Sequence, residues 1–304
     1  MLQGKVVGIV YNERNPQAVA LAQQLSPRYC STEGSWVCPA DQVNALDHRM
    51  PSTSVVITLG GDGTILRAAH VAAPHAVPIL GVNLGRVGFM TELPAEAALD
   101  GIASYLQEDQ RWIEERAMLQ VEVHRGSRGP QGAGDSKRQE LSPFPVHALN
   151  DVFVGRGAIT RIMQIEAKVD DQPFLTYSAD GVVVATATGS TGYTLSVGGP
   201  VIHPQSRDIL LTAVAPHLSF RGSLLLPASS VVELIVRSQM AAVLSVDGGM
   251  DMTLTEGDSV QVRQSPYRAR FLRAQPPTYF YRTLTRRLGL DLGPGASRSQ
   301  ESSR

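Results

Sequence analysis

The chain contains the run Ser54-Val55-Val56-Ile57-Thr58-Leu59-Gly60-Gly61-Asp62-Gly63-Thr64, which continues directly into Ile65-Leu66-Arg67-Ala68-Ala69. The apolar, β-branched part predicts a buried strand, the glycines predict a tight turn, and the last part predicts the start of a helix. Such a turn is a common anion site, because glycines let the backbone approach a ligand and the first N–H groups of a helix have no partner within it. The run therefore predicts a phosphate loop made of Gly60, Gly61, Gly63 and Thr64.

Asp62 is the unusual member of this loop. A P-loop carries a lysine that balances phosphate charge, and this loop has none. Phosphate charge would have to be balanced by backbone dipoles, a metal ion or residues elsewhere. Asp62 could bind a metal or accept a proton from a reacting hydroxyl. It could also only cap the helix, in which case the run is a structural turn.

Alternation of strands and helices extends on both sides of this run, up to about residue 110. Strands are predicted at Lys5–Val10, Ser54–Leu59 and Val77–Val82, and helices at Pro16–Leu25, Ile65–Ala73 and Pro94–Leu106. This order predicts an α/β N-terminal domain with a parallel sheet over residues 1–110. Ligands bind beyond the carboxyl ends of such strands, where both the phosphate loop and the segment Asn83–Phe89 fall.

After Trp112 the pattern changes to alternation of apolar and polar residues, as in Met118–His124 and Ala242–Val246. Period-two runs separated by Gly, Pro and Asp turns predict an all-β C-terminal domain over residues 111–276. Within it, residues 126–145 are rich in Gly, Ser, Pro and charge, which predicts a mobile loop.

The C-terminal part carries a further helix pattern. Basic residues at helical spacing predict a helix over residues 277–290, which we expect to pack back on the N-terminal domain. Residues 293–304 are expected to be disordered.

Length and composition restrict the classes of function. The chain has 304 residues, of which 43% are hydrophobic and 18% charged, as expected for a soluble globular protein of two domains. A formal net charge of −1 argues against nucleic-acid binding, which depends on clustered Lys and Arg. No long apolar run and no signal peptide occur, so we expect no membrane partner. The two cysteines, Cys30 and Cys38, form no metal motif, and a cytoplasmic location is expected.

Polar residues of the second half suggest a nucleoside site. Asn150-Asp151 precedes the strand pattern Val152–Val154, Asp180 precedes Val182–Ala185, and the run from Thr188 to Ser196 is rich in Gly and hydroxyl groups around Tyr193. Carboxylates accept hydrogen bonds from ribose hydroxyls, hydroxyl groups can recognise a purine edge, and an aromatic ring stacks on a base.

Each of these features also has a purely structural explanation. Asn150-Asp151 could be a simple turn, and the Gly/Ser/Thr-rich run could be a connecting loop with Tyr193 in the core. Neighbouring residues of a regular strand point to opposite faces, so Asn150 and Asp151 can both contact one ligand only if a bulge or turn redirects one of them.

Taken together, these motifs closely resemble the NAD kinase family over most of the chain. The phosphate loop with Asp62, the segment Asn83–Phe89, the pair Asn150-Asp151 and the block Asp180–Pro204 occur in the order and spacing of that family. The resemblance implies an ATP-dependent kinase that phosphorylates the adenosine 2′-hydroxyl of NAD to NADP, with Mg²⁺ or another divalent cation. It also implies a homodimer or homotetramer with an active site between the domains.

The resemblance assigns a role to each motif. Asp62 would accept the proton of the 2′-hydroxyl beside Gly63, and the ATP phosphates would lie against Gly60–Thr64. Phe89 would line the dinucleotide site. The other nucleotide-binding residues implied in this way are Asn150, Asp151, Arg161, Ser178, Asp180, Thr188, Thr191, Gly192, Tyr193, Thr194, Leu195 and Ser196.

The chain departs from the family pattern at four positions. Asp151 stands where most members have Glu, Gly192 replaces the usual Ala, and Gly249 stands where some relatives have Gln. Ser178 occupies a position at which many bacterial members carry Arg, and this position is associated with the choice of NAD over NADH. The resemblance therefore leaves the choice between NAD and NADH open.

Two alternative functions stay open from the sequence alone. Diacylglycerol kinases and other lipid kinases share the glycine loop, although the residues after Thr64 do not continue as they usually do there. A non-catalytic dinucleotide sensor would bind NAD or NADP and release no ADP.

Overall fold

The fold is described from a computed structural model, which describes residues 4–85, 88–107, 111–126, 145–157, 162–217 and 220–287. Contacts between residues divide the chain into two compact units. The first unit comprises the described parts of Met1–Val71, Val77–Glu114 and Phe271–Arg304. The second comprises Ala72–Ala76 and the described parts of Glu115–Arg270. The predicted loop 126–145 and tail 293–304 fall almost wholly outside the described residues.

The strands are β1 Val7–Tyr11, β2 Trp36–Pro39, β3 Val55–Leu59, β4 Pro78–Asn83, β5 Leu93–Pro94, β6 Trp112–His124, β7 Val146–Ala148, β8 Asp151–Arg156, β9 Met163–Val169, β10 Gln172–Ala179, β11 Gly181–Ala185, β12 Ile209–Val214, β13 Ser223–Leu226, β14 Val232–Val236, β15 Ala242–Val246, β16 Met250–Leu254 and β17 Ser259–Arg273. The α-helices are α1 Pro16–Tyr29, α2 Asp62–Ala72, α3 Ala95–Tyr105, α4 Tyr193–Ser196 and α5 Tyr279–Arg287. Short 3-10 helices cover Val43–Ser52, Ala73–His75 and Gly189–Thr191.

The first unit is built on a parallel sheet. Its strands lie in the order β4-β3-β1-β2, and β5 also pairs in parallel with β4. The register places Tyr11 of β1 opposite Leu59 of β3, so the carboxyl ends of these strands lie side by side. Apolar strand residues such as Ile9 and Ile57 pack with Leu25 of α1 and Ile102 of α3 in one buried core.

Helix α1 shows why the local sequence folds as it does. Asn15 caps the helix, because its side-chain oxygen accepts a hydrogen bond from the N–H of Gln17 at 2.9 Å. Pro16 follows at the first helical position, where its missing N–H costs nothing. The buried residues Ala18, Leu21, Ala22 and Leu25 recur at the helical period and form the face that packs on the sheet.

The second unit is antiparallel. Six strands form a sheet in the order β13-β12-β11-β8-β15-β16, while β10, β9, β14 and β17 follow one another in a second set of pairs. Alternate residues of these strands, among them Val154, Val182 and Leu234, share one large buried core. The 3-10 helix Gly189–Thr191 and α4 follow the central strand β11.

The predicted fold class, an α/β domain with a parallel sheet followed by an all-β domain, is confirmed. Several boundaries shift: α1 continues to Tyr29 rather than ending at Leu25, and α2 begins at Asp62 rather than at Ile65. The strands β2 and β5 were not predicted from the sequence. Among the described residues, no helix has the length and apolar character that a membrane span requires. Cys30 and Cys38 are both free thiols, and burial raises the pKa of Cys30 to about 11.

Candidate functional site

The phosphate loop of the first unit joins the carboxyl end of β3 to the first turn of α2. Gly60 donates its N–H to the carbonyl of Val82 at 3.1 Å, and Thr64 donates its N–H to that of Gly61 at 3.0 Å. Asp62 is the first residue of α2, so its carboxylate stands at the positive end of the helix dipole. The loop thus has the geometry expected of an anion site.

A cavity of about 330 Å³ opens beside this loop. It is lined by Gly61, Gly63 and Thr64 of the loop region and by Asn12, Glu13, Arg14, Ala40, Asp41 and Arg67. The segment after β1 reaches it because Asn12 donates its N–H to the carbonyl of Leu59 at 3.0 Å. None of the lining residues outside the loop was predicted from the sequence. Most of them follow the ends of β1 and β2, which is the position that the parallel sheet predicts for a ligand.

Glu13 and Asp41 form an acidic pair on the wall of this cavity. A hydrogen bond between their side chains, and next the repulsion of the Asp41 charge, raise the pKa of Glu13. Arg14 and Arg67 oppose this effect, since their positive charges lower the same pKa. The cavity therefore carries charged groups of both signs beside the phosphate loop.

Gly88 lies directly against Asp62. A Cβ atom added at Gly88 would collide with Oδ1 of Asp62 and would lie 3.1 Å from Oγ1 of Thr91. The backbone there is held in place, because the N–H of Gly88 donates to Oγ1 of Thr91 at 2.9 Å. Only a glycine fits at this position without moving the Asp62 carboxylate.

Phe89, the next residue, is half-buried and has an aromatic neighbour from the C-terminal helix. Its ring centroid lies 6.4 Å from that of Phe280 in α5. The predicted site residues of the first unit are thus Asp62, Gly63 and Phe89 together with the loop.

In the second unit, Asn150 and Asp151 lie at the start of β8 on a cavity of about 620 Å³. Asn150 belongs to the turn that precedes the strand, and this turn lets both side chains face the same cavity. The cavity is lined by Asn150, Asp151, Phe153, Arg156, Gly157, Tyr193, Val243, Ser245, Asp247, Gly248 and Asp251. A volume of this size is typical of small-molecule sites.

Asp247 holds the Asn150-Asp151 turn in place. Its carboxylate accepts the backbone N–H groups of Leu149 at 2.8 Å, Asn150 at 2.7 Å and Asp151 at 3.1 Å. Gly189 packs against the other side of the turn, where a Cβ would lie 2.5 Å from the backbone carbon of Asn150. Asp247 was not predicted from the sequence, because it occupies the turn between β15 and β16 and contacts residues almost one hundred positions earlier.

Burial, and next the charge of Asp247, raise the pKa of Asp151 from 3.8 to about 7. A protonated Asp151 therefore favours the folded state, and its contribution to stability is complete below about pH 3.8 and is lost as the pH rises through about 7.

We expect Asp151→Asn to remove this loss of stability. In the wild type the free energy of unfolding should fall between about pH 5 and about pH 8.5 by an amount on the order of a few kcal/mol, and the variant should show a smaller decrease. Urea unfolding at both pH values measures the difference. Asp251→Asn, an exposed carboxylate on the same cavity, is the control. Equal decreases in the wild type and in Asp151→Asn would contradict the expectation.

Asp180 lies between β10 and β11 and is paired with an arginine. Nη2 of Arg156 lies 2.7 Å from Oδ2 of Asp180, and Arg156 also lines the cavity with Asn150. Ser178 lies two residues earlier, in β10. Its backbone carbonyl oxygen accepts a hydrogen bond from the backbone N–H of His217, with 2.7 Å between oxygen and nitrogen. Arg161, which the resemblance assigned to the dinucleotide, lies outside the described residues.

The glycine-rich run after β11 is ordered by hydrogen bonds. Thr186 donates its hydroxyl to the carbonyl of Leu149 at 2.6 Å, and Ser190 donates its own to that of Ala187 at 2.6 Å. Oγ1 of Thr188 and Oγ1 of Thr194 are buried and have no hydrogen-bond partner within the described part of the chain. Of the predicted set, Thr191 ends the 3-10 helix Gly189–Thr191, Leu195 and Ser196 lie in α4, and Gly192 joins these two helices.

Tyr193 does not lie in the core, since 44% of the residue is exposed. Its ring meets the ring of Phe153 edge to face with centroids 5.9 Å apart, and both line the cavity with Asp151. An exposed aromatic face beside carboxylates is suited to a nucleoside. Phe153 was not predicted, because its spacing in the strand does not distinguish it from core residues.

Known proteins resemble this chain over nearly its whole length. A family model described as the ATP-NAD kinase N-terminal domain matches residues 29–110, and one described as the ATP-NAD kinase C-terminal domain matches residues 149–274. An NAD kinase of Dehalococcoides mccartyi is 42% identical over 93% of this chain and 96% of its own. An NAD kinase of Chloroflexus aurantiacus is 35% identical over 93% of this chain and 98% of its own.

Two solved structures share the fold. A yeast NADH kinase in complex with NADH superimposes with a TM-score of 0.75 at 23% identity, covering 95% of this chain and 88% of that one. An NAD kinase from Archaeoglobus fulgidus in complex with ATP gives a TM-score of 0.66 at 21% identity, covering 91% and 99%.

Proposed function

We infer, since this chain belongs to the NAD kinase family and its activity is the phosphorylation of NAD by ATP, that Asp62 accepts the proton of the adenosine 2′-hydroxyl. The observation that carries this assignment is the position of Asp62 as first residue of α2, between two glycines that line the 330 Å³ cavity. In the reaction a bond forms between the 2′-oxygen and the γ-phosphorus, and the bond to the β,γ-bridging oxygen breaks to release ADP. Positioning and charge stabilisation supply most of the rate of such a transfer.

The resemblance to NAD kinases also implies a divalent cation, and the first unit has residues that fit one. Mg²⁺ is commonly bound by one or two carboxylates together with substrate phosphates. Glu13 and Asp41 both line the cavity, where the side chain of Asp41 raises the pKa of Glu13, and a cation between two such carboxylates would offset their repulsion. No cluster of three or more His, Cys, Asp or Glu side chains suited to a metal occurs within the described ranges. Glu13 and Asp41 would hold the cation, which would neutralise triphosphate charge.

The residues around the larger cavity are proposed to bind the dinucleotide. Asn150 and Asp151 offer an amide and a carboxyl to ribose or adenine, and Tyr193 offers its exposed ring face to a base. The Arg156–Asp180 pair at 2.7 Å fixes a carboxylate next to this cavity. Thr188 and Thr194, whose buried hydroxyls lack a partner within the described chain, are available to a ligand that reaches them.

The test is an assay of the purified protein with ATP, Mg²⁺ and, in parallel, NAD, NADH or diacylglycerol. We expect NADP and ADP from NAD, measurable turnover of NADH because Ser178 replaces arginine, and no phosphorylated lipid. Calorimetric NAD binding without ADP release would instead identify a dinucleotide sensor, and phosphorylation of the lipid alone would identify a lipid kinase. The relatives named above favour neither alternative.

Assembly and location complete the proposal. We propose a homodimer or homotetramer, as the family resemblance implies, and a cytoplasmic location, which the two free cysteines fit. Light scattering of the purified protein measures the assembly.

A further inference from the structure

Two arginines line the cavity beside the phosphate loop. Arg14 lies in the segment after β1, and Arg67 lies in α2 five residues after Asp62. Both residues are exposed, and neither guanidinium forms a salt bridge with a carboxylate of the described residues. The cavity thus presents two cations that no acidic side chain of the described chain neutralises by direct contact.

The local structure directs both arginines toward the loop. Asn12 and the segment that follows it are joined to the end of β3 by the hydrogen bond to Leu59, which brings Arg14 beside Gly61. Arg67 is four residues after Gly63 on the same helix face, and helical side chains lean toward the N-terminus of their helix. Arg67 and the loop residues Gly61, Gly63 and Thr64 accordingly line the same cavity.

We propose that Arg14 and Arg67 bind the triphosphate of the phosphoryl donor and take the place of the lysine that this loop lacks. The inference rests on the proposed function, because it assumes that the donor phosphates occupy this cavity. Guanidinium groups present several N–H donors in a plane and bind phosphate oxygens in pairs. Their charges would also offset the repulsion between the phosphates and Glu13 and Asp41.

The expected result for Arg67→Ala is a rise of about tenfold in the KM for ATP, because a hydrogen bond to a charged group is lost at an exposed site. The KM for NAD should change by less than about twofold. Arg67→Lys should keep part of the affinity for ATP. The double variant Arg14→Ala with Arg67→Ala should have a still higher KM for ATP than Arg67→Ala alone. The difference from wild type should shrink at high salt, since screening weakens exposed charge interactions.

Calorimetric titration with MgATP in the absence of NAD separates this inference from the proposed function. A weaker ATP affinity in the arginine variants supports the inference even if the wild type formed no NADP, a result that would overturn only the proposed activity. Arg49→Ala is the matched control, because Arg49 is exposed in the same unit away from the cavity.

Thermal unfolding of each variant shows whether an effect is structural. If the arginines had only a structural role, replacing them would lower the unfolding temperature and weaken the binding of ATP and of NAD together. An ATP affinity in the double arginine variant equal to that of wild type and of Arg49→Ala would overturn the proposal.

Discussion

Replacing Asp62 by asparagine is expected to lower kcat by about 10²- to 10⁴-fold while NAD binding stays close to wild type. The amide keeps the size of the carboxylate at the start of α2, but it cannot accept the proton of the 2′-hydroxyl. Because the proton acceptor acts in the transition state, the loss should fall on kcat rather than on the KM for NAD. Steady-state kinetics of NADP formation and calorimetric titration with NAD measure the two quantities.

Gly88→Ala tests the same role without changing Asp62. The added methyl group would collide with Oδ1 of Asp62, and the carboxylate can yield by rotating its side chain. We expect a lower kcat with little change in unfolding temperature. Gly85→Ala is the control, because a Cβ at Gly85 meets no atom within 4 Å. An asparagine variant with nearly normal kcat would remove Asp62 from the role of base.

The parallel sheet of the first unit was predictable because its strands are short apolar runs separated by helical patterns. The predicted strand Ser54–Leu59 and the observed β3 differ by one residue, and the turn after it was read from its glycines. The strand β2 was missed because it has only four residues and ends in proline. Its apolar and polar residues do not alternate in a way that distinguishes a strand from a loop. Helix α2 begins at Asp62, before its apolar pattern. Its start was predicted too late, at Ile65, because the glycines there indicate a turn more strongly than a helix.

Candidate site residues were predictable where glycines and polar groups cluster in sequence, as in Gly60–Thr64 and Thr188–Ser196. Asp247 and Arg156 were missed because their partners are set by strand pairing across the second unit, which local spacing does not reveal. Arg67 was missed for a different reason. An exposed arginine on a helix is usually a solvated residue, and only the cavity distinguishes this one.

A buried ion-pair network in the first unit anchors the segment that places Gly88 against Asp62. Nε of Arg273 lies 2.8 Å from Oε2 of Glu114, and its Nη1 lies 3.2 Å from Oε2 of Glu92 and donates to the carbonyl of Met90 at 3.0 Å. The three charged side chains are only 8%, 3% and 8% exposed for Arg273, Glu92 and Glu114. Arg273 therefore ties the residues just after Gly88 and Phe89 to the ends of β6 and β17.

Arg273→Met is expected to lower the free energy of unfolding by about 3–5 kcal/mol, because it removes the buried cation that pairs with both Glu92 and Glu114. Urea unfolding measures the loss. Arg28→Ala, which breaks the exposed pair with Asp100, should cost less than about 1 kcal/mol and serves as the control.

The triple variant Glu92→Gln, Glu114→Gln and Arg273→Met separates charge burial from simple loss of contacts. It removes all three charges, while the side-chain amide oxygen introduced by Glu92→Gln can still accept the N–H of Ala274, which Glu92 accepts at 2.9 Å. We expect it to regain more than half of the stability lost in Arg273→Met, since replacing a whole buried ion pair is often close to neutral. If the triple variant were no more stable than Arg273→Met, packing and hydrogen bonds rather than uncompensated charge would account for the loss.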